Sequence, residues 1–263
     1  MRIAAVGDLH CTLASASRLQ SLFTELGQRS DIALLCGDLT DGGLPEEAHA
    51  LAKLITASAR IPVLAVLGNH DFEGGKPAEV QQILRDAGII MLDGDGYEYQ
   101  GVGFAGVKGF CGGFGQRALQ PWGEATIKTF VHEAVQETLK LESALAKLRT
   151  PQRVAFLHYA PIQETVEGEP IAIFPFLGSS RLEEPINRYH VAAVFHGHAH
   201  HGSAEGRTSA GIPVYNVALP LLQRLAPNDP PFRVFTLDDQ PAATEPAQTA
   251  STSVSGERAH DGR

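Results

Sequence analysis

The chain has 263 residues, 43% of them hydrophobic, a formal net charge of −9 and three cysteines. That length can bury one sizeable core, and a mean hydropathy of −0.06 fits a soluble globular protein. The acidic balance excludes tight non-specific binding to DNA, RNA or acidic membranes, and no apolar run approaches the ~20 residues that span a bilayer.

Taken in chain order, the sequence alternates apolar runs with helical stripes. Residues 2–6 form the first run and open the chain with no room for a signal peptide, which predicts a cytoplasmic protein. Leu19, Leu22, Phe23 and Leu26 recur at helical spacing, then residues 32–36 form a second buried run. Ala48, Leu51, Leu54 and Ile55 follow Pro45 as a second helical stripe, residues 61–67 form a third run, and Val80, Ile83, Leu84 and Ala87 follow Pro77. Residues 97–107 read as a hairpin that begins a second sheet. A long amphipathic helix is expected over about 125–148, with Phe130, Val131, Ala134, Val135, Leu139, Leu145 and Leu148 on or near one face. Further runs lie at 154–157 and 191–195, and residues 212–217 and 232–236 are expected to finish the second sheet. The expected fold is therefore α/β with mixed sheets, in one catalytic domain over 1–237. Residues 238–263 are poor in large apolar side chains and read as a disordered tail.

Five of the runs end in clusters of residues that favour metals. These are Asp8-Leu9-His10, Gly37-Asp38-Leu39-Thr40-Asp41, Gly68-Asn69-His70-Asp71, His158 and Gly197-His198-Ala199-His200. Sites in open α/β sheets form beyond the carboxyl ends of the strands, so five strand-end clusters can meet at one place. Together they hold enough ligands for two divalent ions about 3.5–4 Å apart, the arrangement that clamps the attacking and leaving oxygens of a displacement at phosphorus. Asp38 is the natural bridge. Asp8, His10 and His200 would complete one shell, and Asn69, His158 and His198 the other. This oxygen and imidazole set suits Mn, Fe, Zn, Co or Ni better than Ca or Mg.

The ordered pattern resembles that of the calcineurin-like metallophosphoesterases and spans residues 8–200. The resemblance implies a four-layer β-sandwich flanked by helices and a dinuclear centre. It implies hydrolysis of a small phosphate ester by a metal-bridging hydroxide. By the same resemblance His70 would protonate the leaving group or hold a phosphate oxygen, with Asp41 orienting its ring. Gly42 stands where Ser/Thr protein phosphatases carry a phosphate-gripping Arg, Asp71 stands where they carry Glu, and Asp41 stands where purple acid phosphatases carry a Tyr ligand. The remaining likeness is to the bacterial phosphodiesterase branch, with phosphomonoesterase activity as an alternative. A non-catalytic interaction module on the same fold is a second alternative. The intact ligand set favours the enzyme, and the acidic charge disfavours a nuclease.

Single strand-end Asp or His residues are more often turn formers than ligands, so the weight rests on the whole set. His196 reads as a packed histidine or a support behind the ligands, His201 as solvated, and Asp71 as a cap of the next loop, with the holding of a ligand histidine as the alternative. Cys11, Cys36 and Cys111 lack metal-finger spacing and read as small buried thiols in a reducing compartment. The glycine-rich segment 108–117 suggests a substrate wall built by Lys108, Phe110, Phe114 and Arg117, against a plain connecting loop. The loop 161–180 carries Glu164, Glu167 and Glu169, which would repel highly charged phosphates, bind a further cation or be solvated.

Overall fold

A computed structural model describes residues 1–237. The tail reading for 238–263 lies outside the described residues. In chain order the elements are β1 (Arg2–Val6), α1 (Gln20–Arg29), β2 (Ile32–Cys36), α2 (Pro45–Ser58), β3 (Val63–Val66), α3 (Pro77–Asp86), β4 (Ile90–Met91), β5 (Asp95–Tyr99), β6 (Val102–Gly106) and α4 (Ala125–Lys147). They continue with β7 (Gln152–Phe156), α5 (Phe174–Leu177), α6 (Glu183–Arg188), β8 (Ala193–His196), β9 (Glu205–Arg207), β10 (Pro213–Asn216), α7 (Leu219–Leu225) and β11 (Arg233–Thr236).

Two mixed sheets stack face to face. The first has the order β11-β1-β2-β3-β4 and the second β5-β6-β7-β8-β10-β9. Strand parity builds the layers, because alternate side chains leave opposite faces of a strand. Ile3, Ala5, Ile32, Leu34, Leu64 and Val66 pack against Phe104, Phe156 and Phe195 of the second sheet. Their neighbours Ala4, Val6, Ala33 and Leu35 face the other way, onto Leu22, Phe23 and Leu26 of α1 and Leu51 of α2. On the far side Ala105, Ala155 and Val194 pack against Leu141, Ala144 and Leu145 of α4 and Ile186 of α6. The result is helix, sheet, sheet, helix, as the sequence implied. Each of the three fully buried phenylalanines between the sheets stabilises the sandwich by about 2 kcal/mol.

Two expectations are corrected. Residues 212–217 do join the second sheet through β10, but the last strand does not: β11 pairs antiparallel with β1 at the edge of the first sheet. Apolar content alone cannot tell which sheet edge a final strand will fill. In α4 the buried face runs through Val131, Ala134, Glu137, Leu141, Ala144 and Leu145, whereas Leu139 is 49% exposed. Two steps of four carry the chain from Val131 to Leu139 but leave it about 80° round the helix, off the buried stripe, and the buried carboxylate of Glu137 hides the true stripe from an apolar count.

Candidate metal centre

Each of the five sequence clusters begins at or just beyond the carboxyl end of β1, β2, β3, β7 or β8, and the parallel pairing of those strands brings all five to one edge. Tight turns are needed there, and the chain takes them with ligand-type residues themselves. Asp8, His10, Asp38 and His198 have φ of 56°, 42°, 47° and 71°, the left-handed region that residues with a Cβ seldom adopt. Such conformations cost of order 1–3 kcal/mol each and persist where the surroundings enforce them, typically at functional sites. Two glycines make the close approaches possible. A Cβ on Gly68 would lie 2.1 Å from Asp38 Oδ1, and one on Gly197 would lie 2.3 Å from Asp8 Oδ2.

Three groups of ligand-type side chains form, each with its donor atoms within 4.8 Å of one another: Asp8, His10 and His200; Asp38, His158 and His198; and His10, Asp38 and His70. The two oxygens of Asp38 divide between the first two groups. Oδ2 lies 3.8 Å from His10 Nε2, and Oδ1 lies 3.4 Å from His158 Nε2. Asn69 Oδ1 sits 2.8 Å from the same His158 nitrogen, and His200 Nε2 sits 3.0 Å from Asp8 Oδ1. All seven residues expected to hold metal therefore meet at one place.

Main-chain groups aim the rings. Cys36 carbonyl accepts from His158 Nδ1 at 3.0 Å, and the Phe176 carbonyl accepts from His198 Nε2 at 3.1 Å. These bonds turn His158 Nε2, which also meets Asn69 Oδ1, and His198 Nδ1 toward the centre, the outer support that metal-binding imidazoles need. The His198 N–H donates to both oxygens of Asp8, at 3.0 and 2.9 Å. Sequence reading missed the two carbonyls, since a main-chain acceptor carries no residue-type signal.

Electrostatics suit cations. Burial, joined by repulsion from Asp8, pushes the Asp38 carboxyl up to about 7. Burial lowers His158, and lowers His198 to about 3, so both rings stay neutral and able to coordinate. Asp8 feels burial most, yet the histidines around it outweigh that and hold its carboxyl below the usual range. Both ring nitrogens of His10 are buried and make no hydrogen bond; Nδ1 is 3.2 Å from Asp41 Oδ1 but not aligned with it. A half-buried imidazole whose two nitrogens are shielded and make no hydrogen bond fits a ring that would coordinate a metal ion. The donor set and these orphaned atoms fit the divalent pair that the sequence implied.

His70 lies at the rim, its ring 4.4 Å from that of His10. Its Nδ1 donates to the Asp41 carbonyl at 2.7 Å, while the Asp41 carboxylate is 4.0 Å away. Asp41 thus meets His70 through its main chain and turns its side chain toward His10. Burial works against a charged His70, but the Asp41 carbonyl and the carboxylates of Asp38, Glu73 and Asp41 outweigh it and raise the ring's pKa.

The neighbouring residues sort themselves. His196 is fully buried and bonds to the Thr165 hydroxyl and the Gly197 carbonyl, and burial lowers it to about 4. Cys11, Cys36 and Cys111 are buried free thiols. Glu164 and Glu169 accept the N–H groups of Arg207 and His201, so they tie down their loop. Lys108 and Phe110 both pack on Tyr159, whose ring is 4.6 Å from that of His198; Phe114 packs against Ala160, Val166, Leu177 and Ala199, and Arg117 is exposed.

The calcineurin-like phosphoesterase family model matches residues 1–202. The chain belongs to the calcineurin-like phosphoesterase family. It is accordingly a metallophosphoesterase, a hydrolase of phosphoric esters that works with metal. Solved structures share the fold. A phosphopantetheinyl hydrolase from Mycobacterium tuberculosis is 16% identical with a TM-score of 0.64, over 92% of this chain and 98% of that one. TT1561 of Thermus thermophilus is 15% identical with a TM-score of 0.50, over 84% and 90%. GAP50, the anchor in the inner membrane complex of Plasmodium, is 13% identical with a TM-score of 0.52, over 84% and 72%. No curated protein matches the sequence. No helix among the described residues is long and apolar enough to cross a membrane.

Proposed function

We propose that this phosphoesterase is a dinuclear phosphodiesterase acting on small substrates. The observation that carries the reading is the division of Asp38, one oxygen toward His10 and the other toward His158. A carboxylate set between two ligand groups is what a bridged ion pair needs. Asp8, His10 and His200 would hold one ion, and Asn69, His158 and His198 the other, with Mn, Fe, Zn, Co or Ni suited to the donors.

Such a pair supplies Lewis acidity and a water acidified enough to attack phosphorus near neutral pH. The chain's own residues do the rest. Asp38 and Asp8 neutralise charge in a buried setting, and the carbonyls of Cys36 and Phe176 keep the rings from turning. His70, charged and held through Nδ1 by the Asp41 carbonyl, donates its Nε2 proton to the departing oxygen. Diesters are favoured over monoesters by charge. Gly42, directly after Asp41, provides no guanidinium to grip a dianionic phosphoryl group. Residence in the cytoplasm belongs to the same proposal and rests on the three free thiols.

The test strips the protein of metal, reloads it with Mn, Fe, Zn or Ni, and compares bis(p-nitrophenyl) phosphate with p-nitrophenyl phosphate. Metal-dependent turnover that favours the diester supports the proposal. A monoester preference would move the chain to the phosphomonoesterases.

A further inference from the structure

Beside the histidine cluster lies a cavity of about 230 Å³ that the proposed phosphoryl chemistry does not use. Leu67, Phe72 and Pro77 form one wall, and Lys108 with Glu133 and Lys140 of α4 forms the other. Two links join it to the metal centre. Leu67 directly precedes Gly68-Asn69, and Phe72 directly follows Asp71. The Lys108 carbonyl accepts the N–H groups of His158 and Tyr159 at 3.0 and 3.1 Å. The Tyr159 ring connects the two regions, 5.4 Å from Lys108 Nζ and 4.6 Å from the His198 ring.

Lys108 is the unusual member. Its ammonium has three donors, of which one reaches the Gly109 carbonyl at 2.9 Å. The rings of Phe72, Phe110 and Tyr159 surround it at 5.5, 4.8 and 5.4 Å, which offsets its charge without supplying oxygen acceptors. The nearest buried carboxylate is committed elsewhere: Glu137 accepts from the Gly109 N–H at 2.9 Å and from Lys140 at 2.7 Å. Lys140 in turn holds Asp93 at 2.9 Å. Burial, the largest influence, draws the Lys108 ammonium below the usual lysine range. An ammonium with unused donors therefore faces a cavity with one apolar wall, built by Leu67, Phe72 and Pro77, and a charged wall opposite.

We infer that this cavity receives the organic arm of the phosphate ester, and that the arm is apolar with an uncharged hydrogen-bond acceptor that Lys108 binds. The inference rests on the phosphoester reading of the adjoining centre. The acceptor is uncharged because Asp93, Glu133 and Glu137 line the same cavity against two ammonium groups, so a further anion would meet like charge.

Three p-nitrophenyl phosphodiesters test it, with pentyl, 4-oxopentyl or 4-carboxybutyl as the second arm. For the native metal-loaded protein kcat/KM for the 4-oxopentyl ester exceeds that for the pentyl ester by about tenfold, the worth of a hydrogen bond to a charged donor, and the carboxylate arm is the poorest. Lys108→Met keeps the length, removes the donors and brings the 4-oxopentyl to pentyl ratio near one, whereas Lys108→Arg retains a preference. If Lys108→Met does not fold, Phe72→Trp narrows the cavity from an exposed position and lowers the same ratio. Equal rates for the two uncharged arms, a preference that survives both variants, or a carboxylate arm that reacts best overturns the inference. Calorimetric binding of pentyl phosphate and 4-oxopentyl phosphate makes the comparison without turnover. Preferential binding with no hydrolysis sinks the hydrolase reading and leaves the cavity standing; hydrolysis with no preference does the reverse.

Discussion

Asp71 and Thr40 are joined twice: Asp71 Oδ1 accepts the Thr40 N–H at 2.8 Å and its hydroxyl at 2.6 Å. The other oxygen accepts the Gly68 N–H at 2.8 Å and the Leu39 N–H at 3.2 Å. One fully buried carboxylate thus fixes the loop that carries Asp38 to the loop that carries Asn69 and His70. Its role is structural, as the sequence suggested, but its reach spans two metal loops rather than one turn.

Asp71→Asn replaces an acceptor by an N–H₂ group that must face a backbone donor. The expected cost is about 2 kcal/mol of stability, read as a lower midpoint in denaturant for the metal-free protein. Metal affinity weakens with it, because both loops loosen. An unchanged midpoint would show that the four bonds are dispensable.

His70→Ala is expected to lower kcat by about 10²–10⁴-fold for diesters with alkoxide leaving groups, since those depart only with a proton. For p-nitrophenolate, which leaves without one, the loss is much smaller. Equal losses on both substrate types would assign His70 to phosphate binding instead.

Gly68→Ala places a Cβ where Asp38 Oδ1 now lies, 2.1 Å away. The carboxylate must move, and a shift of that kind costs about 100-fold in kcat/KM. Elemental analysis of the purified variant should show metal loss in parallel. Full metal content with native turnover would mean that the loop yields more easily than its packing indicates.

The layers and the centre were legible in sequence for one reason. Metal chemistry demands rare residue types at strand ends, and Asp8, Asp38, Asn69, His158 and His198 stand at those ends in the open. What stayed hidden was main-chain or context-dependent. The carbonyls of Cys36, Phe176 and Asp41 aim the histidines, yet any residue type could have supplied them. Phe114 and Arg117 looked like pocket walls because they sit in the same glycine-rich segment as Lys108, but Phe114 packs against Ala160, Val166, Leu177 and Ala199, Arg117 is exposed, and neither lines the cavity that Lys108 does. Glu137 went unread because a buried acid interrupts an apolar stripe, although Lys140 one turn later was its available signal.

Asp38 sets the pH dependence of metal uptake. Its carboxyl in the metal-free fold titrates at about 7, so below that pH an incoming ion must displace a proton. Through this group alone affinity falls about tenfold for each pH unit below 7 and is flat above it. His158 and His198 add no competition near neutrality, because burial holds both low. His200 does compete, because its bond to Asp8 Oδ1 raises its pKa. Calorimetry at pH 6 in buffers of differing ionisation enthalpy should report more than one proton released as metal binds; none released would contradict the assignment.

A bridged pair of ions across Asp38, as proposed above, would be visible in an anomalous-scattering map from crystals of the protein soaked in manganese. Two peaks about 3.5–4 Å apart are expected on either side of Asp38, one ringed by Asp8, His10 and His200 and the other by Asn69, His158 and His198. A single peak, or two peaks that do not share Asp38, would contradict it.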